Sequence, residues 1–72
     1  MGEAMVLVHV RFAPDGSVTE IGERPAGATP QKWFDTLSEE LKGQYQPLSG
    51  GRGVFRETRT RIEALKGGAT VQ

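Results

Sequence analysis

The chain has 72 residues, nine basic and nine acidic groups, one histidine and no cysteine, and its formal net charge is zero. At this length a chain buries only about 60% of the surface its unfolded form exposes, so a single domain over 1–72 with modest stability is expected. The lack of cysteine excludes disulfides and thiolate metal sites and agrees with a cytoplasmic location, while the charge balance argues against broad, salt-driven binding to nucleic acid.

The opening MGEAM lacks the basic region of a secretory leader, and Val6 stands where a myristoylation signal requires Ser or Thr. MVLV, residues 5–8, is the longest apolar run and is far too short to span a bilayer. No membrane association is expected. In MVLVHVRF, Val6, Val8, Val10 and Phe12 share one face of a strand, and Met5, Leu7, His9 and Arg11 share the other. APDGS then supplies a bulged turn: Pro14 pre-sets its first position, Asp15 suits its second, and Gly16 takes the left-handed angles. SVTEIGE is the return strand, and a two-stranded hairpin is marginal without further cover.

ERPAGA, 23–28, reads as a connector. Thr29 and Pro30 start a helix, the hydroxyl as cap and the proline at the first position, where no amide hydrogen is needed. Trp33, Phe34, Leu37 and Leu41 recur at helical spacing and form the stripe that packs on the sheet, with Trp33 in the core. Lys42 and Gly43 mark the stop. YQPLSGGRG, 45–53, reads as an irregular loop punctuated by Pro47 and its glycines.

Beyond it two organisations compete. A single helix over Val54–Lys66 gathers Val54, Phe55, Thr58, Ile62 and Leu65 on one arc. Alternatively 52–57 adds a third strand, Thr58 caps, and a short helix runs over 59–66. The β-favouring residues Val54, Phe55, Thr58 and Thr60 and the need to cover a hairpin edge favour the split. The fold class is therefore α+β, a small sheet built on an N-terminal hairpin and packed by an amphipathic helix, in the order ββαβα, with ββαα as the alternative. Gly67 and Gly68 are expected to end the last helix, leaving 67–72 as a disordered tail.

Candidate chemistry is sparse. His9 is the only histidine and has no partner nearby in sequence, so it reads as a structural or surface residue and no metal or cofactor site is expected. The pairs Glu20/Glu23 and Glu39/Glu40 show no sign of the apolar burial that tunes a general acid, and Ser49 has no recognisable base. The chain is not expected to be an enzyme, and no small-molecule substrate is evident. SGGRG lacks the lysine of a phosphate-binding loop, and its glycines are explained by a tight turn. Gly50, Gly51, Arg52, Arg56, Arg59 and Arg61 nevertheless form the anion- or nucleic-acid-contact candidates. In the split organisation Arg52 and Arg56 share a strand face with Val54, near Arg11. No exposed aromatics interleave them as in single-strand binders.

Residues 1–42 carry a net charge of −3 and residues 43–72 a net charge of +3, so the chain is dipolar. Tyr45, Pro47 and Leu48 form an apolar cluster suited to a protein contact, and the second hairpin strand offers an edge for backbone pairing with a copy or a peptide. A small protein-interaction or structural module is expected, with a protein partner or self-association favoured over nucleic acid.

Overall fold

The computed structural model describes residues 4–70, with side chains through residue 67. In chain order it has β1 (Met5–Phe12), β2 (Val18–Ile21), α1 (Pro30–Glu40), a 3-10 turn at Lys42–Gln44, β3 (Tyr45–Leu48), β4 (Arg52–Thr58) and α2 (Arg59–Thr70). The four strands make one antiparallel sheet in the order β2-β1-β4-β3. The fold is α+β, with one strand more than the ββαβα order expected.

The first hairpin closes as its sequence dictates. Gly16 sits at φ 92°, and the amide of Ser17 donates to the Asp15 carboxylate at 2.9 Å. The Ser17 hydroxyl donates to the same oxygen at 2.7 Å, and a bulge falls between Arg11 and Phe12. α1 starts at Pro30 with the Thr29 hydroxyl accepting from the amide of Lys32 at 3.1 Å. Because α1 joins the two outer strands, it crosses the whole core face of the sheet. Trp33 is fully buried there, and its indole N–H donates to the carbonyl of Gly22 at 2.9 Å, tying the helix to the end of β2.

The single-helix alternative for 54–66 does not form. Residues 52–58 are strand, paired with β1 from Met5↔Thr58 to Arg11↔Arg52, and the Thr58 hydroxyl accepts from the amide of Arg61 at 3.2 Å to start α2. α2 continues through Gly67 and Gly68 to Thr70, past the expected stop; only 71–72 of the expected tail lie outside the described residues.

The expected loop at 45–53 is corrected to a strand and a tight turn. Tyr45–Leu48 pairs with β4, and Ser49, Gly50 and Gly51 make the turn, the glycines at φ 79° and 71°. A proline normally argues against a strand, but β3 is an edge and needs its amides on one side only. The Tyr45 ring fixes the register by lying over Gly53, where any Cβ would overlap it.

The core is one-sided. Val6, Val8 and Val10 of β1, Val18, Trp33, Leu37, Leu41, Phe55 and Ile62 are buried together between the sheet and both helices. Phe12, Phe34, Tyr45 and Phe55 extend it, with Phe12 and Phe34 edge-to-face at 5.3 Å and Tyr45 and Phe55 tilted at 4.9 Å.

Candidate functional site

Strand alternation that buries one face exposes the other. Met5, Leu7, His9 and Arg11 of β1 and Arg52, Val54 and Arg56 of β4 project from the side of the sheet opposite the helices, and β3 adds Gln46 and Leu48. The register sets Leu7 against Arg56, His9 against Val54 and Gln46, and Arg11 against Arg52 and Leu48. Met5 is 52% exposed, Leu7 54% and Leu48 37%; among the described residues these are the exposed large hydrophobics, and all three lie on this open face.

Two shallow clefts mark it. One of about 610 Å³ is lined by Met5, Leu7, Gln46, Val54 and Arg56. The other, of about 460 Å³, is lined by His9, Arg11, Glu20, Gly22 and Arg52. The first pairs apolar walls with one guanidinium, and the second sets two guanidinium groups beside an imidazole and a single carboxylate.

The four arginines of 52–61 divide between two surfaces. Arg52 and Arg56 lie on the open face. Arg59 and Arg61 belong to α2 and are held by carboxylates brought from far along the chain. Arg59 meets Glu23 at 2.7 Å and Glu63 at 2.9 Å, and Lys66 meets Glu23 at 2.9 Å. These contacts hold the Glu23 carboxyl down at about 2, with the Arg59 hydrogen bond the largest cause and Lys66 next. Lys66 and Arg59 likewise depress Glu63, while the two carboxylates raise Arg59 and Lys66. Arg61 donates to the Glu40 carbonyl at 3.1 Å and lies 3.6 Å from its carboxylate.

On the open face the cations are weakly held. Arg11 is 4.0 Å from Glu20, Arg52 donates its Nε–H to the Ser49 carbonyl at 3.3 Å, and the Arg56 side chain makes no hydrogen bond or ion pair among the described residues. Gly50 and Gly51 serve the turn, and the carbonyl of Gly51 accepts from the amide of Phe12 at 2.8 Å.

Tyr45, Pro47 and Leu48 do not form one cluster. Tyr45 is half-buried among Phe34 and Phe55, where burial pushes its hydroxyl pKa up, and alternation sends Leu48 to the open face. Met5, Leu7 and Val54 were not singled out by sequence. The available signal was the second face of MVLVHVRF, which carries two large apolar side chains that neither amphipathic helix is left to cover.

Among the described residues no three His, Asp or Glu side chains gather as metal ligands, and no helix is long and apolar enough to cross a membrane. Comparison of the chain with protein-family models, curated proteins and solved structures finds no match.

Proposed function

We propose that the chain is a non-catalytic protein-interaction module that docks a polypeptide on the open face of its sheet. The observation that carries this reading is that Met5 and Leu7 lie exposed with Val54 along one cleft on a face that neither helix covers. Isolated exposed hydrophobics such as Leu48 are ordinary, but apolar side chains that line one cleft together are how docking surfaces are built. Burying Met5 and Leu7 against a partner contributes up to about 1.5–3 kcal/mol each.

The edges are poorer templates than the face. The carbonyl of His9 accepts from the amide of Gly22, so His9 and Arg11 turn their backbone groups toward β2, and Val8 and Val10 turn theirs toward β4. Following this alternation through β4 places the backbone nitrogen of Pro47 on the free edge of β3, where it has no hydrogen to donate. At the other edge β2 has four residues, and the amide of Val18 is already taken by the Gln31 side chain at 3.0 Å. A short edge carrying a proline or a capped amide resists strand addition.

Arg11, Arg52 and Arg56 favour a second reading, in which the same face contacts the phosphates of a nucleic acid. It is the weaker one, because among the described residues the face carries no Phe, Tyr or Trp ring for base stacking, only the His9 imidazole, and the two α2 arginines are held by carboxylates.

Selection of a random-peptide display library on the immobilised domain tests the docking face. Enriched peptides are expected to bind the wild-type protein and to lose binding on Leu7→Ser, a change at an exposed position that leaves the core intact. Failure to enrich any peptide sensitive to Leu7→Ser overturns the proposal.

A further inference from the structure

We infer that the polypeptide docked on the open face is acidic, a segment whose carboxylates engage Arg52 and Arg56 while its apolar side chains cover Met5, Leu7 and Val54. The inference rests on the docking face proposed above and adds the chemistry of the partner.

The first argument is the placement of charge. Arg11 and Arg52 stand directly opposite each other on neighbouring strands, and like charges in that position repel. The chain relieves this only weakly, through Glu20 at 4.0 Å, and supplies nothing to Arg56 among the described residues. Elsewhere the same chain pairs its arginines closely, Arg59 with Glu23 at 2.7 Å. Three guanidinium groups and one carboxylate on an otherwise apolar and neutral face call for an anionic complement.

The second argument separates possible occupants. A second copy docked face-to-face about a two-fold axis would double the three guanidinium groups of the face and add only one more carboxylate, Glu20, leaving desolvated cations short of partners. A nucleic acid would supply anions, but it would leave Met5, Leu7 and Leu48 facing sugars and phosphates, with the His9 imidazole in place of the Phe, Tyr or Trp rings that stack bases. An acidic polypeptide with apolar side chains satisfies both parts of the surface.

The third argument is spacing. Arg52 and Arg56 are four residues apart along one strand, about 13 Å, with Val54 between them. An extended partner segment matches this with acidic residues at i and i+4 and an apolar residue at i+2, all facing the sheet. Arg56 then meets one carboxylate at the rim of the apolar cleft. Arg52 and Arg11 share the other beside His9.

The peptides enriched in the display selection decide the matter. They are expected to carry Asp or Glu flanking Leu, Ile, Val or Phe, and to bind more weakly as salt is raised. Arg52→Ala and Arg56→Ala are each expected to weaken binding by at least about tenfold, as loss of a charge-assisted hydrogen bond does. Arg56→Lys loses less than Arg56→Ala, and Lys32→Ala on the outer side of α1 changes nothing. The amide spectrum of each variant verifies that the fold is retained. Enrichment of neutral or basic peptides that still depend on Leu7 overturns the acidic partner and leaves the docking face standing. Absence of any Leu7-dependent peptide overturns both. Oligouridylate that binds at physiological salt and displaces the peptide assigns the face to nucleic acid, and a molecular mass that doubles with concentration and reverts on Leu7→Ser assigns it to a second copy; either result overturns the inference.

Discussion

Gly53 is the residue on which the second hairpin depends. The Tyr45 ring occupies the space a side chain at 53 would need, and that ring is itself wedged against Phe34 and Phe55. Gly53→Ala is expected to lower stability by about 1–3 kcal/mol through overpacking, read as a fall in the denaturant midpoint. In a Tyr45→Ala background the same change is expected to cost markedly less, because the colliding ring is gone. Additive effects in that double-mutant cycle would contradict the account. Glu23 is the other residue with an unusual task. It is a non-glycine at φ 60°, a conformation that costs about 1–2 kcal/mol, and its carboxylate joins Arg59 and Lys66 of α2 to the connector before α1. The folded-state pKa of about 2 lies below the ordinary 4.5, so the stabilisation is present above 4.5 and is lost as pH falls through about 2. Glu23→Gln is expected to cost about 1 kcal/mol at neutral pH, the scale of a partly exposed ion-pair network. The difference between wild type and variant is expected to shrink when urea denaturation is repeated on acidification; a difference that does not change with pH would contradict the role given to the carboxylate.

The elements of this fold differ in how plainly their residues announce them. The first hairpin and α1 are legible because their signals are local: alternation in MVLVHVRF, the Pro14–Asp15–Gly16 turn, and the Thr29–Pro30 start followed by Trp33 and Leu37. The division of 52–66 into β4 and α2 is legible from Thr58 as a cap. β3 is not, since four residues including Pro47 carry little strand signal, and what holds them is pairing with β4 and the fit of Tyr45 over Gly53. The extension of α2 beyond its glycines is equally hidden, and nothing among the described contacts explains it. For the candidate site, alternation alone places Arg52 and Arg56 on one strand face near Arg11. The loss of Arg59 and Arg61 from that group depends on Glu23 and Glu40, 36 and 21 residues away, which no local pattern links to them. Pro47 has its own consequence at this scale. Pro47→Val restores an amide on the free edge of β3 and is expected to raise concentration-dependent association in sedimentation experiments, and a variant that stays as monodisperse as the wild type would contradict the edge-blocking role.

At the scale of the whole molecule, a net charge of zero conceals an uneven surface. The outer side of α1 carries Asp35, Glu39 and Glu40, and α2 neutralises its arginines, while the open face of the sheet keeps Arg11, Arg52 and Arg56 beside Met5, Leu7 and Leu48. A two-layer domain with one bare layer is held together on one side only, and the other side is free to take a partner. The helices use their largest apolar residues, Trp33, Leu37 and Ile62, on the core, so neither offers a comparable surface. The most direct measurement is amide chemical-shift mapping of a display-selected peptide on the isotope-labelled domain. Perturbations centred on Leu7, His9, Arg52, Val54 and Arg56, with α1 unmoved, are the result this account predicts. Perturbations centred on the outer surfaces of α1 and α2, with β1 and β4 silent, would contradict it.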